Sequence, residues 1–265
     1  MLNSLRALFT YRAFILGNIK RELKNQYQNS LLGRLWLILS PLAMILVYTL
    51  IFSNVMQARM GGYNNHFAYG MYLCAGILPW GYFTAVLQRT TDVFVQNANM
   101  IKKSYFPRIV LPFTILGMET VNFLITMGLF FAFLILNGIM PWRTVAWFIP
   151  ILIIQQALAL SLGIFLGVLN AFFRDIGKLL SVALQFWFWF TPIVYLKDII
   201  PEQFREIALT INPMFALIDG YQRIIMRNEA PIGSNFLLPL GCAIVMIILA
   251  YFIYKKLANE LADVL

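Results

Sequence analysis

The sequence predicts an all-α protein that crosses a membrane six times and forms one domain over residues 1–265. Hydrophobic residues make up 61% of the chain and charged residues only 12%, and the mean hydropathy is +0.77. Values this far from those of soluble globular proteins indicate that lipid surrounds most of the chain. Because one helical span needs about 20 apolar residues, the length allows about six spans with short loops and no separate soluble catalytic domain.

The N-terminal segment, residues 1–30, is predicted to contain a helix that lies in the membrane surface. From Ile15 onward its apolar residues recur at four-residue spacing, and the neighbouring face carries three basic residues, Lys20, Arg21 and Lys24. Such a basic amphipathic helix either anchors the chain to anionic lipid or flanks a site for a lipid phosphate.

The apolar runs predict six spans, at residues 35–55, 69–93, 109–136, 144–173, 179–195 and 236–254. The fifth run is only 17 residues long and is interrupted by Pro192. It would reach about 25 Å as a helix, which is less than the hydrocarbon core of about 30 Å. Between spans five and six, one apolar helical stripe predicts re-entrant or interfacial helices; it consists of Met214, Leu217, Ile218, Tyr221, Ile224 and Ile225.

Charge asymmetry predicts that both termini are cytoplasmic. With six spans and the N-terminus inside, 14 of the 20 Lys and Arg residues lie on the cytoplasmic side. This bias satisfies the positive-inside rule. The protein is therefore expected to be a multi-pass membrane protein with both termini in the cytoplasm.

Motifs for catalysis or metal binding are missing from the sequence. There is no GxxxxGK[ST] phosphate loop, no GxSxG, no HExxH and no EF-hand pattern. His66 stands alone, and Cys74 and Cys242 lie inside apolar runs, where a free cysteine behaves as a small hydrophobic residue. We expect no enzyme activity, metal or cofactor in this chain, and no nucleic-acid partner.

Glu119 is the one acidic residue deep in a predicted span. A charge at this depth costs about 2 to 3 kcal/mol on insertion scales, so it should face protein or water. It either makes a hydrogen bond between helices or lines a pore. An ion-coupled carrier would need more intramembrane acids and inverted repeats, and neither is evident.

Span four carries a ridge of small residues at four-residue intervals, namely Ala159, Gly163, Gly167 and Ala171. Small side chains allow the backbone of another helix to approach closely. The sequence leaves open whether that helix belongs to this chain or to a second copy.

The short fifth span ends in an aromatic block, Phe186, Trp187, Phe188, Trp189 and Phe190, followed by Tyr195. Aromatic residues near a membrane boundary commonly form an interfacial belt. The alternative is a surface on which sugar rings stack, since the flat C–H faces of pyranoses pack on aromatic planes. Stacking would tolerate many sugar sequences, as a conduit for a repeating polymer requires.

Several motifs, in order along the chain, carry a resemblance to a known family. They are KRELKNQYQNSLLGRLWLILSPL, VYTLIFSNV, GILPWGYF, LNAFFRDI and FWFWFTPIVY, with INPM downstream. Together they resemble the permease subunit of bacterial ABC type-2 exporters that move lipid-linked polysaccharides such as O antigen, teichoic acid or capsule. The nearer alternative is a type-2 permease for a drug, a hemolysin or a lipid, and the more distant one is an ion-coupled carrier or channel.

The resemblance implies an inner-membrane homodimer associated with two copies of a separate cytoplasmic ATPase, which would bind ATP and Mg. The ATPase would be contacted by Asn97, Ile101, Lys102, Lys103, Tyr105, Arg108, Arg174 and Asp175. The alternative for these segments is a solvated basic loop that only fixes topology.

The same resemblance assigns the substrate path. The lipid pyrophosphate would bind near Lys20, Arg21, Lys24 and Arg34, because clustered cations attract phosphate. The aromatic block, Tyr195 and Glu119 would line the conduit, and the break at Pro192 would form part of the external gate.

Overall fold

The computed structural model describes residues 9–25, 32–51, 67–103, 107–231, 236–257 and 260–265. The regular structure of these ranges is helical, without β-strands, so the all-α prediction is confirmed. In chain order the helices are α1 (Arg12–Asn25), α2 (Trp36–Leu46, continued by a π-helix at Val47–Ile51), α3 (Ala68–Gln96), α4 (Ala98–Lys103), α5 (Val110–Leu136), α6 (Phe148–Phe172), α7 (Ile176–Trp189), α8 (Glu202–Ile211), α9 (Pro213–Arg227), α10 (Leu237–Leu257) and α11 (Leu261–Val264). Short 3-10 turns occur at Gly33–Leu35, Val145–Trp147 and Lys197–Ile199.

Among the described helices, four are long and apolar enough to cross a membrane: α3, α5, α10, and α6 together with the turn that precedes it. Each overlies one predicted span, with ends that differ by a few residues. The matching predicted spans are 69–93, 109–136, 236–254 and 144–173.

The other two predicted spans, 35–55 and 179–195, coincide with shorter apolar helices, Trp36–Ile51 and Ile176–Trp189. At 1.5 Å per residue these helices reach about 24 and 21 Å, compared with about 30 Å for the hydrocarbon core. The count of six spans therefore stays a prediction.

Helix α3 forms the centre of the bundle. Of its most apolar 18-residue stretch 78% is buried, compared with 17% for α10. The predicted small-residue ridge of α6 faces α3: a Cβ atom at Gly167 would lie 2.8 Å from the Thr90 carbonyl oxygen, and one at Gly163 would lie 2.7 Å from the Thr90 Cβ. The helix that packs on the ridge thus belongs to this chain. Because the two glycines have no side chain, the backbones of α3 and α6 can approach this closely.

Helix α9 carries the amphipathic stripe predicted between spans five and six. The side chain of Asn212 caps its start, and Pro213 occupies the first turn. Asn228, with a positive φ of 51°, ends the helix in the left-handed region. All six stripe residues are buried. The stripe therefore packs on protein, whereas the depth of α8 and α9 in the membrane stays a prediction.

One end of the bundle gathers the segments that are rich in basic residues. A buried cluster joins Phe94 of α3, Ile101 of α4, Leu111 of α5 and Val168 of α6. Helix α1 lies nearby, with the Ile19 side chain against Gly117 of α5. We call this end, which carries α1, α4 and the turn at residues 173–175, the basic end.

Candidate substrate conduit and coupling surface

The aromatic block at the end of α7 divides into an inward and an outward part. Trp187 and Phe188 are half-buried, and their ring centroids lie 6.2 and 5.8 Å from that of Trp80 on α3. The outward rings are exposed, at 62% for Phe186, 59% for Trp189 and 71% for Phe190. The inward pair anchors α7, and the outward rings form a surface available to lipid, to another chain or to a sugar polymer.

Asn212, which lies in the INPM motif but was given no role in the sequence analysis, fixes the end of α7 to the start of α9. Its Oδ1 accepts a hydrogen bond of 2.8 Å from Trp187 Nε1 and one of 3.0 Å from the Met214 N–H. Its Nδ2 donates to Thr191 Oγ1 at 3.0 Å. An asparagine directly before a helical proline is a helix-start signal, but nothing in the local sequence indicates the contact with Trp187.

The turn at Pro192, just after the end of α7, is held in place from two sides. The Pro192 carbonyl accepts hydrogen bonds from Tyr72 Oη of α3 at 3.1 Å and from Gln222 Nε2 of α9 at 3.2 Å. Tyr72 shares its single hydroxyl proton with the Tyr195 carbonyl, which lies at 2.8 Å, and the Tyr195 hydroxyl donates to the Trp189 carbonyl at 2.8 Å. The proposed gate residue therefore lies in a tightly bonded turn.

A buried carboxylate joins the segment after this turn to α9. Asp219, with a side chain only 6% exposed, accepts from Lys197 Nζ at 2.5 Å and from Arg223 Nε at 2.6 Å. Two cations thus share one carboxylate. Among the described residues, no group of three or more His, Cys, Asp or Glu side chains is placed to hold a metal ion.

Glu119 forms an ion pair with Arg89 of α3. Arg89 also lies 3.4 Å from Glu22 of α1. Glu119 borders a cavity of about 290 Å³ between α2, α3 and α5, where the Asn122 Oδ1 atom is buried without a hydrogen-bond partner. The contact between helices that the sequence analysis offered as one alternative is present, and the role of Glu119 in a pore stays a prediction.

The basic residues of α1 lie at the surface. Lys20, Arg21 and Lys24 are exposed, and Arg21 donates to Asn18 Oδ1 at 2.9 Å. Arg34 lies in the turn before α2, and its side chain is outside the described residues. Helix α1 therefore presents three cations beside the bundle, in keeping with either predicted role.

The predicted ATPase-contact segment after α3 begins with the short helix α4. Asn97 starts it: its Nδ2 donates to the Val93 carbonyl at 2.8 Å, and its carbonyl accepts from the Ile101 N–H at 3.0 Å. Ile101 is buried at the basic end. Lys102 is exposed and Arg108 half-buried, while the Lys103 side chain and Tyr105 lie outside the described residues. Helix α4 is thus anchored inward by Ile101 and presents Lys102 outward.

The second predicted ATPase contact is the turn between α6 and α7. Arg174 and Asp175 are exposed, as is Phe173, which the sequence analysis did not select and which is 67% accessible. An exposed aromatic ring flanked by charges is typical of a protein-binding surface. Both predicted contact segments therefore lie at the basic end.

Comparison with known proteins identifies the family. A family model described as ABC-2 type transporter matches residues 14–226. This chain belongs to the ABC-2 type transporter family. The match runs from α1 to the end of α9, so it includes the aromatic block, the Pro192 turn and both predicted contact segments of this ABC-2 chain.

Individual relatives of this ABC-2 chain match from 81% to 99% of its length. It is 32% identical over 246 residues to an O-antigen export system permease protein RfbA of Klebsiella pneumoniae, with 92% of each chain covered. A protein with the same description from Myxococcus xanthus is 30% identical, with 99% of each chain covered. A polysialic acid transport protein KpsM of Escherichia coli is 25% identical, with 81% of this chain and 82% of the relative covered.

Proposed function

We propose that this chain is the permease subunit of an ATP-driven exporter that moves a lipid-linked polysaccharide, such as O antigen, across the bacterial inner membrane. The observation that carries the proposal is similarity at 30% and 32% identity, over more than nine-tenths of both chains, to proteins described as O-antigen export permeases. The matched region makes up 92% and 99% of these relatives' own length. Their described role therefore belongs to the region that this chain shares with them.

The proposed topology has six membrane segments and cytoplasmic termini. Helices α2 and α7 would complete the four long spans, and α8 and α9 would form a re-entrant unit between α7 and α10. The basic end, with α1, α4 and the turn at 173–175, would face the cytoplasm because it carries most of the Lys and Arg residues.

The proposed partners are a second copy of this chain and a dimer of a separate ATPase that binds ATP and Mg. Support comes from the missing phosphate loop in the sequence. The exposed Lys102, Phe173, Arg174 and Asp175 lie at one end of the bundle and provide a surface on which an ATPase could dock.

The proposed substrate path starts at the cations of α1 and passes the outward rings Phe186, Trp189 and Phe190. The pyrophosphate would be attracted by Lys20, Arg21, Lys24 and Arg34, and the sugars would stack on the exposed rings. The turn at Pro192 and the buried Asp219 cluster would limit how far the external gate can move.

The test is complementation combined with purification. A strain that lacks its own O-antigen permease would receive this chain together with a candidate ABC ATPase from the same genome, and surface polysaccharide would be measured on silver-stained gels. We expect the ATPase to copurify and polysaccharide to appear at the surface. Copurification without any polysaccharide would favour a permease for a drug or a lipid, and transport by the chain alone in proteoliposomes, without ATP, would overturn the proposal.

A further inference from the structure

The side chain of Asn170 joins three segments at the basic end. Asn170 lies near the end of α6 and is only 3% exposed. Its Nδ2 donates to the Thr91 carbonyl at 3.2 Å and to Asp92 Oδ1 at 3.1 Å, both on α3. Its Oδ1 accepts from the Gly177 N–H, in the first turn of α7, at 3.0 Å. One amide group therefore bonds α3 and α7 to α6.

We call this set of hydrogen bonds around the Asn170 side chain the joint. The packing around it leaves the three segments little room to shift. A Cβ atom at Gly177 would lie 2.8 Å from Asp92 Oδ1 and 3.5 Å from the Asn170 amide. One turn earlier on α6, Gly167 abuts the Thr90 carbonyl of α3. The close approach of the backbones thus brings Asn170 within hydrogen-bond distance of Asp92, and Gly177 completes the joint.

The bonding pattern requires a group that donates and accepts at the same time. An amide does both, whereas a carboxylate only accepts and an aliphatic side chain does neither. At Asn170 the donor faces two acceptors, and the acceptor faces a backbone N–H. An aspartate at this position would keep the bond to Gly177 but would place a second carboxylate against Asp92.

The joint links the two exposed segments of the basic end. Helix α4 follows α3 only a few residues after Asp92, and Asn97 and Ile101 fix it to α3. The turn with Phe173, Arg174 and Asp175 lies between Asn170 and Gly177. Holding Asp92 and Gly177 on the same amide therefore fixes the turn relative to α4.

We propose that Asn170 is a positioning residue that makes α4 and the turn at 173–175 move as one body when the ATPase acts on them. This inference rests on the proposed function, since it assumes an ATPase at the basic end. A force applied at either segment reaches α3, α6 and α7 together, so ATP hydrolysis is coupled to movement of the aromatic surface on α7.

The experiment uses a reversal of donor and acceptor. The variants Asn170→Asp, Asp92→Asn and the double variant would be purified as the complete permease–ATPase complex in lipid nanodiscs, with ATP hydrolysis measured there and surface polysaccharide measured in cells at matched permease levels. Asn137→Asp is the matched control, because Asn137 is exposed at the opposite end of the bundle and makes only a local bond to Phe133.

The expected results follow from the hydrogen bonds. Asn170→Asp should keep ATPase copurification and ATP hydrolysis in nanodiscs but lower surface polysaccharide in cells by about tenfold at matched permease levels, the factor that corresponds to losing a buried hydrogen-bond pair. Asp92→Asn alone should have little effect, because Asn170 can still donate to the new amide oxygen. The double variant should recover part of the export, since the amide at position 92 can donate to the carboxylate at position 170, while the bond to the Thr91 carbonyl stays lost.

The outcomes separate this inference from the proposed function. If the wild-type complex exports polysaccharide and Asn170→Asp gives as much surface polysaccharide at the same permease level, Asn170 does not position the coupling segments. The same conclusion follows if Asn170→Asp acts only by lowering permease level or ATPase copurification, or if the double variant is no better than Asn170→Asp. If the wild-type complex itself exports no polysaccharide, the proposed function fails instead.

Discussion

Trp187 and Trp189, two residues apart on α7, should affect stability differently when replaced by alanine. The Trp187 ring lies 5.4 Å from Phe83 and 6.2 Å from Trp80 between centroids, and its Nε1 donates to Asn212. Truncating a fully buried Trp costs about 3–5 kcal/mol; because Trp187 is half-buried, we expect about 2–3 kcal/mol. Trp189 is exposed, so Trp189→Ala should change stability by less than about 0.5 kcal/mol.

The assay is thermal unfolding of each variant in the same detergent, followed by size-exclusion chromatography. For a chain of this size, Trp187→Ala should lower the apparent melting temperature by about 4–12 °C, while Trp189→Ala should leave it unchanged. Surface polysaccharide should fall in both, in Trp187→Ala through loss of folded permease and in Trp189→Ala at a normal permease level. Equal destabilisation by the two variants would refute the division of the aromatic block, and normal export by Trp189→Ala would refute its role in the conduit.

Three further tests examine the packing and the charge pairs by the same thermal assay. Gly167→Ala should destabilise by about 1–3 kcal/mol, because its Cβ meets backbone of α3, whereas Gly128→Ala, with open space around it, should not; equal effects would contradict the close approach of α6 to α3. Replacing both Arg89 and Glu119 by Gln should destabilise less than Arg89→Gln alone, since the single change strands a buried carboxylate; simple additivity would show that the pair is not coupled. Asp219→Asn should cost about 3 kcal/mol by leaving two cations without their carboxylate, and wild-type stability would show that the cluster is solvated.

The sequence was sufficient for features that repeat along one helix. Apolar runs located α3, α5, α6 and α10, because lipid solvation acts on every residue of a span. The stripe on α9 could be recognised because burial selects one face at helical spacing. The small-residue ridge around Gly167 indicated a close helix contact for the same reason, although its partner α3 became known only from the structure.

Contacts between distant parts of the chain could not be predicted in the same way. Asn170 and Asp92 are 78 positions apart, and no local pattern associates them. Arg89 is one of the 14 Lys and Arg residues that the sequence analysis placed on the cytoplasmic side, although it lies inside the predicted second span (69–93). A charge at that depth requires a partner, and Glu119 fulfils this requirement. Which rings of the aromatic block face inward depended on how α7 is rotated against α3, and five consecutive aromatic residues give no such phase.

The arrangement of bonds around α7 determines how its aromatic surface can move. At its start, Gly177 is bonded through Asn170 to α3, and just after its end the Pro192 carbonyl accepts from Tyr72 of the same helix. Between these points Leu180 and Leu184 of α7 are buried, and Trp187 and Phe188 are half-buried against Trp80. Helix α7 is thus held by α3 at both ends, and its inward rings Trp187 and Phe188 add contacts to α3 near the second end. We infer that the exposed rings change position when α3 moves as a whole, or when one set of end bonds breaks first. Asn170→Asp weakens the link to α3 at the first end without touching the Pro192 turn at the other.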